Sequence, residues 1–105
     1  MITDDVYKDF CAMTADAIVR LTDQHRDNSM FVVVYNGNGS FSWVESDDTG
    51  IIGLYARPTD LLLNPDGFRR MPRNERWGMV YHSLLRQDGL REQVETLVAK
   101  TERQR

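Results

Sequence analysis

The sequence predicts an α+β fold, a three-stranded antiparallel meander packed with an N-terminal helix and a C-terminal helical pair. Three observations predict it. Apolar residues recur at helical spacing before residue 25, three short strand-like segments fill residues 30–56, and two further helical stripes follow residue 72. The predicted order of elements is α-β-β-β-α-α, and the 105 residues are expected to form a single domain, 1–105.

The first helix is predicted from about residue 4 to residue 25. Thr3 is suited to cap its N-terminus, and the two aspartates that follow favour the positive end of the helix dipole. One face of the helix carries an apolar stripe that consists of Val6, Phe10, Met13, Ala17, Ile18 and Leu21. Asp16 and Asp23 lie off this stripe and are expected to face water.

Met30–Tyr35 is predicted to be the central strand of the sheet. The segment contains three consecutive valines, whose branched side chains favour an extended backbone over a helix. Because apolar and polar residues do not alternate here, both faces of the strand need cover. Either helices lie on both sides, or the second face packs against a partner or another copy of the chain.

Two shorter strands are predicted after the central one. Two Asn-Gly pairs at residues 36–39 suit a tight hairpin that leads into a half-exposed strand over residues 40–45. A turn at residues 46–50 precedes a third strand over residues 51–56, which ends before Pro58 because proline cannot donate to a sheet ladder. The expected product is a meander, in which strands that are adjacent in sequence pair with each other.

The last third of the chain is predicted to be mainly helical. Thr59 is a candidate cap for a single helical turn, and residues 64–67 favour a tight turn. An apolar stripe after Pro72 predicts a helix that ends near Gly89, and a second stripe follows directly. Two helices and one helix kinked at Gly89 fit this pattern equally well.

The net charge of −3 is unevenly distributed along the chain. Residues 1–60 carry 4 basic and 10 acidic side chains, whereas residues 61–105 carry 9 basic and 6 acidic ones. A bias of this size favours two halves that attract each other within one fold over a dedicated basic binding face. Cys11 is the only cysteine, and neither a secretory signal nor a membrane-spanning segment is predicted, so a reducing, cytoplasmic location is expected.

The most conspicuous candidate site is an arginine cluster with an adjoining tryptophan, which consists of Arg69, Arg70, Arg73, Arg76 and Trp77. One interpretation is a solvated loop whose arginines pair with Asp47, Asp48, Asp60 or Asp66. The others are contact with a protein partner, or binding of phosphate or nucleic acid, because guanidinium groups match the geometry of carboxylates and phosphates. The acidic overall charge argues against general affinity for nucleic acid.

A second candidate site is an exposed aromatic patch on the outer strands. It would consist of Phe41, Trp43 and Tyr55, and aromatic residues are enriched at the centres of protein interfaces. The alternative is that these side chains pack beneath the helices.

No catalytic set, cofactor site or metal site is predicted. His25 and His82 do not match a metal-binding spacing, and Cys11 lies roughly 21 Å from His25 along the predicted helix, too far for a dyad. The sequence therefore predicts a small cytosolic protein-binding module without catalysis: an inhibitor, adaptor or accessory subunit whose partner is another protein or a second copy. The alternative is an anion or nucleic-acid binder that uses residues 69–76, and an enzyme based on Tyr81 and His82 is a third option.

Overall fold

The computed structural model describes residues 1–104 and confirms the α+β class and the order of the predicted elements. The regular elements are α1 (Asp4–Asp23), β1 (Phe31–Tyr35), β2 (Phe41–Glu45), β3 (Leu54–Ala56), α2 (Pro65–Arg70), α3 (Arg73–Leu85) and α4 (Leu90–Arg103), with one 3-10 turn at Pro58–Asp60. Among the described residues, no helix is long and apolar enough to cross a bilayer.

The apolar strand β1 is central, as predicted, but the sheet is not a meander. Its strand order is β2-β1-β3, and Val33 of β1 faces Trp43 on one side and Leu54 on the other. The outer edge of β2 is partly occupied by α1, since the backbone N–H of Phe41 donates to Asp9 at 2.9 Å. The loop after β2 therefore carries the chain to the open edge of β1, where β3 completes the antiparallel sheet.

The third strand is shorter than predicted because the loop before it folds back. β3 begins at Leu54 rather than at Ile51. The Tyr55 hydroxyl donates to the carbonyls of Asp48 and Ile51 at 2.5 and 2.7 Å, and this ties the start of the predicted strand into the loop.

The main core lies between the helices and one face of the sheet. Phe31 and Val33 of β1 point into it and are 0% and 1% exposed. Val32 points to the opposite face, where it is also fully buried, but the neighbouring Val44 of β2 is 46% exposed. The second face of the sheet is therefore covered at Val32 of β1 but only partly covered at β2.

Several helix boundaries differ from those predicted. α1 ends at Asp23, and His25 has a positive φ of 57° just beyond it. The turn predicted at residues 64–67 is instead the start of α2, because the Asn64 side chain accepts from the Gly67 N–H at 3.0 Å. The chain makes two separate C-terminal helices, and Gly89 between them has a φ of +80°.

The helical turn predicted from Thr59 is a 3-10 turn that starts one residue earlier, at Pro58. Proline suits the first position of a helical turn, where no backbone N–H is required. The Asp60 carboxylate then accepts from the backbone N–H of Arg57 at 2.7 Å and closes the turn.

Candidate protein-binding surface

Arg69 lies in an internal network that joins α2 to the end of α1. Its guanidinium forms ion pairs with Asp27, at 2.7 Å, and with Asp66, and it donates to the Thr22 carbonyl at 3.0 Å. Only 15% of the side chain is exposed. Hydrogen bonding and the nearby charge of Arg69 lower the pKa of Asp66. We therefore assign Arg69 a structural role.

Arg76 is also turned inward. The residue is 7% exposed, its guanidinium forms an ion pair with Asp23, and it lies 6.0 Å from the centre of the Phe68 ring. Asp23 is exposed, as expected, and its position at the end of α1 also brings it to the N-terminal part of α3 because the two helices run antiparallel.

The acidic partners of the cluster are mostly different from those expected. Of the four aspartates considered, only Asp66 pairs with a cluster arginine within residues 1–104. The other two partners, Asp23 and Asp27, lie more than 40 positions away in sequence. Sequence reasoning missed them because only tertiary folding brings these residues together.

Arg70 and Arg73 are the outward-facing members of the cluster. Both are exposed, and neither forms an ion pair within the described part of the chain. Arg73 is the first residue of α3, where its charge opposes the helix dipole by about 0.3–1 kcal/mol. An anionic group from a binding partner would reverse this penalty.

Trp77 continues from Arg73 along one flank of α3. Arg73, Trp77 and Tyr81 follow each other at four-residue spacing, so their side chains are neighbours on the helix surface. The Trp77 and Tyr81 rings stack with centroids 4.8 Å apart and planes 13° apart, and Trp77 is 38% exposed. His82 is exposed and meets the Tyr81 ring edge-on at 5.3 Å. We call Arg73, Trp77 and Tyr81 together the Arg73–Trp77–Tyr81 line.

The opposite flank of α3 borders an apolar groove that sequence reasoning missed. Met79 is 45% exposed and Leu63 is fully exposed, and both line a groove of about 320 Å³ together with Leu61, Leu62 and Met71. Residues two positions apart on a helix point about 160° apart, so this groove is separate from the Arg73–Trp77–Tyr81 line. The three consecutive leucines were the sequence signal for it.

The predicted aromatic patch does not exist as one surface. Phe41 and Trp43 lie on the sheet face that packs against α1, where Phe41 is 4% exposed and the Trp43 indole N–H donates to Asp16 at 3.1 Å. Tyr55 pairs with Val32 and therefore points to the opposite face. Because side chains alternate between the two faces of a sheet, Tyr55 is separated from Phe41 and Trp43.

Asp9, Asp16 and Asp23 form a line along α1 that sequence reasoning did not identify. They recur every seven residues and contact, in turn, the Phe41 N–H, the Trp43 indole and Arg76. The seven-residue spacing was a usable signal, because it places side chains on one side of a helix. Asp16, which was expected to face water, instead joins α1 to β2.

Cys11 is fully buried in α1 and carries no sign of nucleophilic activation. Burial raises the pKa of its thiol to about 11, and burial also raises the pKa of the nearby Tyr7 hydroxyl to about 12. Tyr7 donates to the Leu84 carbonyl at 3.0 Å and so connects α1 to α3. Both groups are protonated at neutral pH.

Comparison with models of known protein families, with curated proteins and with solved structures finds no match. Function is therefore inferred from the geometry of the Arg73–Trp77–Tyr81 line and from Arg70 and Arg73, which are exposed and form no ion pair among residues 1–104.

Proposed function

We propose that this protein is a small protein-binding module without catalysis of its own, which contacts an acidic surface of its partner through Arg70 and the Arg73–Trp77–Tyr81 line. The observation that carries the proposal is the stack of Trp77 on Tyr81 beside Arg70 and Arg73, which form no ion pair with another described residue. A cytoplasmic location belongs to the proposal and is supported by the single, buried thiol of Cys11.

The composition of this line matches that of interface hot spots. Tryptophan, tyrosine and arginine are the residue types that contribute most to binding energy when an interface covers them. Stacking holds the Trp77 ring against Tyr81, so less side-chain freedom is lost when a partner covers it. The exposed 38% of Trp77 is then available for apolar contact.

The unpaired arginines indicate the chemistry of the partner. Arg69 and Arg76 are neutralised by aspartates of this chain, whereas Arg70 and Arg73 have no such partner among residues 1–104. Carboxylates on the partner would pair with these two guanidinium groups and offset the unfavourable position of Arg73 at the start of α3. We therefore expect an acidic segment that also offers an apolar contact for Trp77.

The test is capture of partners by the tagged 105-residue chain from its native cell extract, after nuclease treatment, followed by affinity measurement with the purified partner. We expect Trp77→Ala to weaken binding by about 30-fold or more and Arg73→Glu by at least about tenfold. Met79→Ala, on the other flank of α3, and Arg103→Glu, at the end of α4, are the matched controls and should change affinity less than about threefold.

Equal losses of affinity in Trp77→Ala and Met79→Ala would contradict the assignment of the Arg73–Trp77–Tyr81 line as the binding surface. If the captured protein is a second copy, sedimentation of the purified chain should show a dimer that Arg73→Glu dissociates. Binding that none of the folded variants changes would overturn the proposed surface.

Binding of an anion or nucleic acid is a second candidate function, favoured by the same exposed arginines. It would use only Arg70 and Arg73, because the other two cluster arginines are paired internally. Affinity should then fall with salt with a slope of about −0.9 for each phosphate contacted, and removal of one arginine should reduce that slope by about one. Affinity that does not change with salt would exclude this function.

A further inference from the structure

A cavity opens into the core between α1, the sheet and the turn that joins α3 to α4. Its volume is about 210 Å³. The inner wall is apolar and comes from five elements, with Phe10, Phe31, Val33, Leu54, Leu84 and Leu90 as the main lining residues. Thr14 also lines it, but its hydroxyl already donates to the Phe10 carbonyl at 2.9 Å. The inner wall therefore offers mainly apolar contacts.

The outer end of the cavity is polar. Asp60, Gln87 and Gln93 line it and are exposed, whereas most of the apolar lining is buried. Among the described residues that line the cavity, Asp60 is the only charged one, and one of its oxygens accepts from the Arg57 N–H at 2.7 Å. The other carboxylate oxygen can accept a further hydrogen bond. The mouth therefore favours a donor or a positive charge and disfavours an anion.

The size of the cavity limits what fits. A cavity of about 150 Å³ lined by similar side chains binds benzene, so about 210 Å³ accommodates a ring system with a short substituent. Pockets for small ligands combine an apolar wall with a few polar groups at one end, and this cavity has that arrangement.

We propose that this cavity is a binding site for a small aromatic amine, with a single ring or two fused rings against the apolar wall and a protonated amine at Asp60. The site is distinct from the α3 surface, because none of its lining residues belongs to the Arg73–Trp77–Tyr81 line. The inference does not depend on the proposed protein partner.

The charge preference is tested with three probes that share one ring system: tryptamine, indole and indole-3-acetate. Titration calorimetry of the full chain should give the tightest binding for tryptamine, about fivefold tighter than for indole, with indole-3-acetate weakest. Asp60→Asn keeps an oxygen for the Arg57 N–H and should abolish the preference for tryptamine over indole. An unchanged preference in this variant, or no binding of tryptamine at millimolar concentration, would overturn the proposal.

The location is tested by methyl NMR of the unmodified chain with tryptamine. Shifts are expected at Val33, Leu54 and Leu84, and not at Leu63 in the surface groove. Shifts confined to Leu63 would overturn the assignment.

Ala56 lines the cavity, so Ala56→Leu should fill it and weaken tryptamine binding at least tenfold. Ala99→Leu makes the same change at an exposed position of α4 and should leave binding unchanged. Undiminished binding by folded Ala56→Leu would also overturn the proposal, and the NMR experiment decides the question if that variant does not fold.

Discussion

The Arg76 guanidinium on α3 forms an ion pair with the Asp23 carboxylate at the end of α1. The Arg76 side chain is 9% exposed and that of Asp23 is 35% exposed. The pair therefore lies at the edge of the core, and together with the Arg69 network it fixes the end of α1 against α2 and α3.

Arg76→Ala should lower the free energy of unfolding by about 1–3 kcal/mol, because it leaves Asp23 unpaired and removes the contact with Phe68. Because Asp23 is partly exposed to water, the loss of unfolding free energy should be smaller than for a fully buried ion pair. Urea denaturation measures the change. Arg73→Ala is the matched control: it removes a charge that opposes the helix dipole, so it should leave the free energy of unfolding unchanged or raise it by up to about 1 kcal/mol. Equal losses for both variants would contradict the structural role of Arg76.

The hydrogen bond from the Trp43 indole to Asp16 should be measurable by a double-mutant cycle. Trp43→Phe keeps an aromatic ring against Phe31 but removes the indole donor, and Asp16→Ala removes the acceptor. We expect a coupling free energy of about 0.5–1.5 kcal/mol from thermal or urea unfolding. The same cycle with Asp5→Ala, on an exposed part of α1, should give none, and equal coupling in the two cycles would argue against this bond.

Stability should fall as the pH rises from about 9 to 11. Burial raises the pKa of Cys11 from 9.0 to about 11, so the unfolded chain loses the thiol proton at lower pH than the folded chain. The stabilisation is complete below pH 9 and is lost as the pH passes the folded value, an effect on the order of 2 kcal/mol.

Cys11→Ala tests the origin of this pH dependence. Urea denaturation between pH 8 and 11 should show a smaller loss of stability than in the unmodified chain. The remaining decline comes from Tyr7, whose pKa is raised mainly by burial. Cys11 contributes to that rise, so the part due to Tyr7 is also smaller in the variant. An identical pH profile for both chains would show that the thiol does not contribute.

Two glycine-to-alanine changes should have opposite effects. At Gly53 an added methyl group would lie 2.6 Å from the Val33 carbonyl oxygen and would also clash with the Val32 side chain, so Gly53→Ala should cost about 1–3 kcal/mol. At Gly78, within α3, an added methyl group would contact no described residue beyond the adjacent backbone of its own helix and its two chain neighbours, so Gly78→Ala should stabilise the protein by about 0.5–1 kcal/mol. Thermal unfolding compares them, and the same sign for both would contradict the packing at Gly53.

Local sequence patterns determined α1, α3, α4 and the central strand, but not α2, whose first residues were predicted to form a turn. The apolar stripe of α1, the run of valines in β1 and the break at Gly89 are encoded within a few residues of where they act. The ends of helices were predicted less accurately where a side chain makes the decisive contact, as Asn64 does at the start of α2.

Tertiary structure decided the strand order, and it decided which candidate site residues are exposed and which are buried or paired. Asp9 accepts a hydrogen bond from the Phe41 N–H at the edge of β2, although the two residues are 32 positions apart in sequence. Asp23 forms an ion pair with Arg76, which is 53 positions away. Strand pairing turned Tyr55 away from the other two aromatic rings, and folding left only Arg70 and Arg73 of the four arginines unpaired among the described residues. Periodicity in one segment reports which face is apolar, but not which distant segment will cover it, because that choice depends on packing and ion pairing across the whole chain.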